Sequence, residues 1–257
     1  MTRRFTPIIA ATFLTMSVGA IAQDDLSSQQ LYEKGFNAFQ DRNYQPSLEL
    51  TQKAALAGSA DALFLLSDFY LAGIPNTLSP DHTKGIHYLK QAAQAGNVDA
   101  MHNLSAFYLQ GLYGLPVDEH QSLKWLLRSA SNGNAVDQNN LAMHYRKEGD
   151  TSQVIYWLKK SAAQNYAKGI QNLANCYYLG YGVKQNLNHA FDLTEQAATL
   201  GDLSSVFTLG TMYVYGYGVD ADVERGYAMI ANAAKHGNAK AKQFLKDNPI
   251  RLATLNY

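Results

Sequence analysis

Apolar residues recur along the chain in two registers that stay in step with each other. The first register is a leucine followed four residues later by a tyrosine, and this pair occurs five times at intervals of 32 to 38 residues. A spacing of four residues places both side chains on one face of an α-helix. The register therefore predicts one helix in each of five units, built around Leu66–Tyr70, Leu104–Tyr108, Leu141–Tyr145, Leu173–Tyr177 and Leu209–Tyr213.

The second register is a pair of small residues followed, four residues after its first member, by a residue suited to a left-handed backbone. It occurs six times, and the last residue is glycine in five units and asparagine in the other. Both residues are favoured where a helix ends with a positive φ. The register therefore predicts a second helix in each unit, ending at Gly58, Gly96, Gly133, Asn165, Gly201 and Gly237.

Each unit is thus predicted to be a pair of antiparallel helices, and small residues mark where the two helices meet. Ser105 and Gly210 directly follow a repeat leucine, and Ser122 and Gly226 are predicted to face them from the second helix. Larger side chains there would push the helix axes apart. One such hairpin leaves apolar surface on both sides, so neighbouring hairpins must stack.

The predicted fold class is all-α: a right-handed α-solenoid, or superhelix, of about six helix-turn-helix repeats. The predicted boundaries are a polar lead-in at 23–30, repeats at about 31–58, 59–96, 97–133, 134–165, 166–201 and 202–237, a capping helix at 238–247 and a tail at 248–257.

The first 22 residues have the order of a secretory signal peptide. Arg3 and Arg4 precede an apolar stretch at 5–18, and the small-residue tripeptide Ala20–Ala22 precedes polar residues. This order predicts export by the general secretory route, with cleavage after Ala22 and a periplasmic or secreted protein. A membrane-anchoring helix is the alternative, but the apolar run is about 14 residues, against about 20 needed to span a bilayer. We therefore expect no stable membrane insertion after cleavage.

Charge and cysteine content limit which partners and covalent modifications are expected. Lys plus Arg and Asp plus Glu both number 21, so the sequence gives no reason to expect a nucleic acid or an anionic membrane surface as partner. The only cysteine is Cys176, which excludes an intrachain disulfide and a lipid-anchored cysteine at the cleavage site. We expect Cys176 to be a buried apolar thiol.

Two segments of the later units resemble a known repeat. Residues 173–183 read LANCYYLGYGV and residues 209–220 read LGTMYVYGYGVD. Both resemble the Sel-one-like repeat, a relative of the tetratricopeptide repeat, and the resemblance covers about residues 59–238. The unit in front, at 31–58, looks more tetratricopeptide-like, and the third unit lacks the Gly-X-Gly-Val turn. The resemblance implies an α-solenoid that binds another protein.

No pattern of catalytic or metal-binding residues accompanies the repeats. The seven histidines include no zinc-hydrolase arrangement, and neither a Gly-X-Ser-X-Gly nucleophile turn nor a Gly-Lys-Ser/Thr phosphate loop occurs. We therefore expect a protein that is not an enzyme and has no cofactor and no metal.

The resemblance implies that the first helices line a concave groove, and it places polar side chains of three successive repeats there. The amides among them can donate to and accept from an extended protein or peptide, and Arg146 with Lys147 could take a carboxylate. Alanine at Asn103, Asn140 and Asn172 should then leave stability nearly unchanged; a merely solvated polar helix face is the alternative. The predicted groove residues are His102, Asn103, Gln110, Asn139, Asn140, Met143, Arg146, Lys147, Gln171, Asn172, Asn175 and Tyr178.

These features leave three hypotheses for the function. The leading hypothesis is an exported scaffold or adaptor that binds a protein or peptide through the groove. The alternative is an immunity protein that neutralises a periplasm-directed toxin such as a phospholipase effector, a role that the resemblance implies for some exported members. Binding or hydrolysis of β-lactams, suggested for cysteine-rich relatives, is disfavoured because this chain has no cysteine pair.

Overall fold

The computed structural model describes residues 26–249, and these form thirteen α-helices in which each helix packs on the next. The described part of the chain is therefore the predicted all-α solenoid. We call the odd-numbered helices up to α11 the first helices and the even-numbered ones the second helices. The helices are α1 (Ser28–Gln40), α2 (Tyr44–Leu56), α3 (Ala60–Ala72), α4 (His82–Gln94), α5 (Val98–Gln110), α6 (Glu119–Ser131), α7 (Ala135–Glu148), α8 (Thr151–Ala162), α9 (Ala167–Leu179), α10 (Leu187–Thr199), α11 (Leu203–Tyr215), α12 (Val223–Lys235) and α13 (Ala239–Asp247).

The two ends of the solenoid compare differently with the prediction. Helix α1 begins at Ser28, three residues before the predicted start, because Ser27 and Gln30 form a reciprocal cap. The Gln30 N–H donates to Ser27 Oγ at 3.2 Å, and the Ser27 N–H donates to Gln30 Oε1 at 2.9 Å. The polar lead-in is thus shorter than 23–30, whereas α13 agrees with the predicted cap. The predicted signal peptide, and the tail from 250 onward, lie outside the described residues.

The second helices end as the register predicts, and each end also starts the next helix. The terminal glycines have φ between 85° and 104°, and Asn165 has φ 58°. After Gly58, for example, the Ser59 N–H donates to the Ala54 carbonyl at 3.0 Å, while the Ser59 side chain caps α3. Four first helices and α13 are capped in this way, by Ser59, Asn97, Asn134, Asp202 and Asn238.

The turn from first to second helix is fixed by the backbone of the repeat tyrosine. In each of the five units the tyrosine carbonyl accepts a hydrogen bond from the N–H of the residue that caps the second helix, at 2.7 to 3.1 Å. The capping residues are Asp81, Asp118, Asp150, Asn186 and Asp222. Since the bond uses main-chain atoms alone, it forms both around the long turn before Asp81 and in the third unit, where the turn is short.

Small residues allow the paired helices to approach closely, as predicted. The hydroxyl oxygens of Ser105 and Ser122 lie 3.3 Å apart. A Cβ placed on Gly210 would lie 2.8 Å from the Gly226 carbonyl oxygen, and one on Gly226 would lie 2.6 Å from the Gly210 carbonyl oxygen. The backbones of α11 and α12 are therefore in direct contact, with no room for a side chain between them.

Candidate functional site

Two cavities open between successive first helices, each with a second helix as its floor. The α5–α7 cavity has a volume of about 700 Å³ and lies between α5 and α7 above α6. The α9–α11 cavity has a volume of about 240 Å³ and lies between α9 and α11 above α10. A shallower depression of about 400 Å³ adjoins the second cavity near the start of α9, α11 and α13.

The two cavities are built from equivalent repeat positions. Counted from the repeat leucine, Met143 of the first cavity corresponds to Thr211 of the second, and Lys147 corresponds to Tyr215. On the floor, Ser122 of α6 corresponds to Ala190 of α10. The repeat architecture therefore creates the same kind of opening twice, and the side chains distinguish one from the other.

The α5–α7 cavity contains a buried carboxylate. Asp137 lies in the first turn of α7 and is 1% exposed, and its Oδ1 lies 2.8 Å from His102 Nδ1 on α5. Its other oxygen, Oδ2, has no hydrogen-bond partner. The hydrogen bond to Asp137 and the charge of that carboxylate raise the pKa of His102, against the opposing effect of burial. His102 is therefore biased towards its cationic form by a partner from the next repeat.

The other end of this cavity is more open to solvent. Gln110 and Lys147 are exposed there, and Met143 is half-buried. Asn140 is also exposed, but it lies at the carboxylate end, where its Nδ2 donates to Asp137 Oδ1 at 3.5 Å. His144 also lines the wall, with its Nε2 3.2 Å from Glu148 Oε1. The exposed side chains of Gln110 and Lys147 are therefore accessible to a ligand.

The equivalent contact beside the α9–α11 cavity joins two uncharged side chains, although Ser205 Oγ also lies 2.6 Å from Oδ2 of the capping residue Asp202. Gln171 occupies the place of His102 and Ser205 the place of Asp137, and Ser205 Oγ lies 2.6 Å from Gln171 Oε1. The Gln171 amide in turn donates to Asn175 Oδ1 at 3.2 Å. Both Gln171 and Ser205 are buried. Gln171 therefore joins two repeats through its side chain rather than presenting it fully to solvent.

A direct contact between α7 and α9 separates the two cavities. Asn172 Nδ2 donates to the buried Asn139 Oδ1 at 2.7 Å, which ties the two helices together. The Arg146 guanidinium lies over the Tyr181 ring, 5.3 Å from its centroid. The row of amides predicted from sequence is therefore partly used between repeats, and Arg146 stacks on an aromatic ring instead of joining Lys147.

The twelve predicted groove residues fall into three groups: those that line the α5–α7 cavity, those that line the α9–α11 cavity or its adjoining depression, and those that line neither. Asn103 is half-buried, Asn139 is buried, and Arg146 is exposed beside Tyr181; these three do not line a cavity described above. The α5–α7 cavity is lined by His102, Gln110, Asn140, Met143 and Lys147, whereas Gln171, Asn172, Asn175 and Tyr178 line the α9–α11 cavity or its adjoining depression.

Asp137 is the residue that sequence reasoning missed. It stands four residues before a repeat leucine, where the other units carry small residues, namely Ala62, Ala100, Gly169 and Ser205. A carboxylate at a position otherwise kept small is the signal that could have marked it, because buried charges are rare and need partners.

Cys176 is 3% exposed, and burial raises the pKa of its thiol, so it is an inert packing residue, as predicted. Residues 26–249 contain no group of three or more His, Cys, Asp or Glu that could hold a metal ion. In the same range, no helix has the length and apolarity to cross a membrane.

Solved structures with a similar fold come from several bacteria. A protective antigen of uropathogenic Escherichia coli, c5321, is 24% identical with a TM-score of 0.71; the match covers 86% of this chain but about half, 48%, of that protein. A Sel1 repeat protein from Oxalobacter formigenes is 24% identical with a TM-score of 0.70, covering 83% of this chain and 88% of that one. The immunity protein Pa5087 of Pseudomonas aeruginosa is 16% identical with a TM-score of 0.45, covering 81% and 83%.

No curated protein matches the sequence significantly. The profile of the Sel1 repeat matches six segments, at residues 20–59, 60–97, 98–134, 136–166, 167–202 and 205–238. The first of these segments corrects the expectation that the leading unit is of the tetratricopeptide type, since the Sel1 profile matches it as well. Sel1 repeats generally mediate protein–protein interaction and are generally not catalytic. The chain belongs to the Sel1 repeat family.

Proposed function

We propose that the protein is an exported adaptor that binds an extended segment of a partner protein along its first helices. The observation that supports this proposal is the pair of equivalent cavities between successive first helices. Each cavity is lined in part by side chains that are not fully buried. A segment lying across α5 to α11 would meet both cavities in turn. Repeat proteins commonly bind partners along such extended surfaces.

The surface around the cavities combines apolar and polar groups. Leu109 at the end of α5, Leu179 at the end of α9 and Tyr215 at the end of α11 are 55%, 61% and 51% exposed. Asn140 and Thr208, at equivalent positions in α7 and α11, place an amide and a hydroxyl beside them. Apolar anchors flanked by groups that hydrogen-bond to a peptide backbone suit a protein partner better than a small polar metabolite.

Site-specific photocrosslinking tests the location of binding. A benzophenone side chain would replace Asn140 or Thr211, and the matched control would carry it at Lys159, which is exposed on the second helix α8. We expect the same partner to be crosslinked from positions 140 and 211 in the source cells, and not from position 159. Equal yield at position 159, or no adduct at the two cavity positions, would contradict the proposal.

Export is proposed from the N-terminal sequence, and its test is separate. A C-terminal alkaline phosphatase fusion of the full chain should be active, and the mature protein should begin at Gln23. Replacing Ala20 and Ala22 by leucine should block cleavage, because the processing site requires small residues. An inactive fusion, or an intact mass that retains residues 1–22, would count against export.

A further inference from the structure

The α5–α7 cavity differs from its counterpart by one buried charge, and we infer that it receives a positively charged side chain, an arginine or a lysine, of the bound segment. This inference rests on the proposed binding function and names the chemistry that the partner presents to one of the two cavities. Its basis is the carboxylate of Asp137, the charge of the cavity lining, and the neutral pair at the equivalent site.

The first argument is the incomplete hydrogen bonding of Asp137. His102 Nδ1 at 2.8 Å and Asn140 Nδ2 at 3.5 Å both bond to Oδ1, but Oδ2 is buried and has no partner, although Asp137 lines the cavity. An ionised carboxylate out of water needs donors or an opposite charge, since its desolvation is otherwise uncompensated. A guanidinium or ammonium group entering the cavity would supply both.

The second argument compares the charged side chains that line the two cavities. The lining of the α5–α7 cavity contains two carboxylates, those of Asp137 and Glu119, together with Lys147 and His102. The lining of the α9–α11 cavity contains no Asp, Glu, Lys or Arg, and its adjoining depression, with Lys168, Asp202 and Lys240, sums to one positive charge. Of the two cavities, only the first therefore has carboxylates in its lining that can accept hydrogen bonds from a cationic side chain.

The third argument is the arrangement of apolar and charged groups within the cavity. Leu109, Leu126 and Met143 provide apolar wall, and arginine and lysine pair an apolar stem with a charged head. Lys147 lies ten residues beyond Asp137 in the same helix, about 15 Å along its axis. Lys147 therefore lies at the opposite end of the cavity from the carboxylate.

The chain supplies its own control for this site. Gln171 and Ser205 occupy the places of His102 and Asp137 and are both buried in a well-packed repeat junction. The double substitution H102Q/D137S therefore transplants a pair that the fold already accommodates. It removes the carboxylate without leaving an unpartnered histidine.

Binding of small probes by the full-length mature protein tests the inference directly. The probes are N-acetyl-arginine methylamide and its uncharged analogue N-acetyl-norleucine methylamide, followed by NMR through the Met143 methyl signal. We expect the arginine probe to bind with a Kd in the millimolar range and the norleucine probe at least about tenfold more weakly, because one hydrogen-bonded ion contact corresponds to about that factor.

Three variants complete the experiment. D137N and H102Q/D137S should each weaken binding of the arginine probe about tenfold or more, with unchanged helical circular dichroism, whereas S205A should bind it as the wild type does. Equal binding of the two probes, no binding of the arginine probe, or undiminished binding by D137N would overturn the inference. Crosslinking at Asn140 and Thr211 does not depend on this result. If a partner is crosslinked but the arginine probe binds no better than the norleucine probe, only the present inference is contradicted, and the proposed binding function is not.

Discussion

The α5–α7 and α9–α11 cavities occupy equivalent places in the solenoid but present different chemistry. Where the first has His102, Asp137 and Lys147, the second has Gln171, Ser205 and Tyr215. The hydrogen bond from the residue that caps the second helix to the repeat tyrosine carbonyl is present at both cavities. The comparison shows that the repeated backbone structure forms a similar cavity twice. A few side chains at fixed repeat positions then determine which ligand group each cavity can bind.

The cavities also differ in volume, about 700 Å³ against about 240 Å³. At the second cavity the Tyr217 ring lies between two others, 5.8 Å from the Tyr178 ring and 5.6 Å from the Tyr215 ring, centroid to centroid. Aromatic rings in these arrangements support each other and take up space at the cavity wall. The smaller cavity is thus suited to a neutral group, and the larger one to a long side chain.

The largest expected effect separates the two cavities by destroying one of them. Gly210→Leu places a side chain against the Gly226 backbone and should destabilise the protein by about 3 kcal/mol or more, since the helices cannot move apart without losing their contact. Urea unfolding followed by circular dichroism measures the loss, and hydrogen exchange locates it.

The damage from Gly210→Leu should be confined to α9–α13, because each repeat is supported by its nearest neighbours. The α5–α7 cavity should then still bind the arginine probe. Ala228→Leu is the control, because Ala228 is exposed on the same pair of helices. Loss of protection throughout α1–α13 would show that the two cavities are not independent.

A smaller effect is expected at the contact that divides the cavities. Asn172→Ala removes the donor at 2.7 Å from the buried Asn139 Oδ1 and should cost about 1–2 kcal/mol. Asn140→Ala, at the same repeat position but exposed, should change the free energy of unfolding by less than about 0.5 kcal/mol. The two variants are compared by urea denaturation. Equal losses would mean that the α7–α9 hydrogen bond does not hold the boundary.

The smallest effect distinguishes the charged junction from the neutral one by pH. The folded pKa of His102 is raised above its unfolded value of about 6.5 by Asp137, so its contribution to stability is fully present below the unfolded pKa. That contribution is lost as the pH rises through the raised pKa. The difference in unfolding free energy between wild type and His102→Gln should therefore shrink between acidic and alkaline buffer.

Gln171→Asn is the matched control at the neutral junction, where no such pH-dependent difference is expected. Urea midpoints measured across the pH range for wild type and both variants provide the comparison. A His102→Gln difference that is constant with pH, or that grows towards alkaline pH, would contradict the assigned partner of His102.

Most of the fold could be predicted because its determinants are local. Gly58 and its equivalents end helices through a positive φ, and Ser59 and its equivalents start the next helix, so the pattern alone marks these boundaries. The close approach at Gly210 and Gly226 likewise follows from side-chain size. The error at α1 arose because Ser27 and Gln30 read as a polar lead-in, although polar residues are what a helix N-terminus requires.

The site was harder to predict because it depends on how adjacent repeats are rotated against each other. Asn139 and Gln171 stand two residues before a repeat leucine, a position whose exposure is decided by the neighbouring first helix. The short third unit brings α7 and α9 into contact and uses the Asn139 amide there. Asp137 could not be predicted as a site residue because its partner His102 is 35 residues away in sequence.

The hydrogen bond from each capping residue to a repeat tyrosine carbonyl has a consequence for how this protein can vary. Because both ends of the connecting loop are held by main-chain atoms, a longer or shorter loop leaves the start of the second helix in place. The entropic penalty of lengthening a closed loop grows only slowly with its length. Loop insertions can therefore accumulate at the edge of the superhelix while the hydrogen bond that starts the second helix is kept, so the rim can diversify while the helical register stays constant.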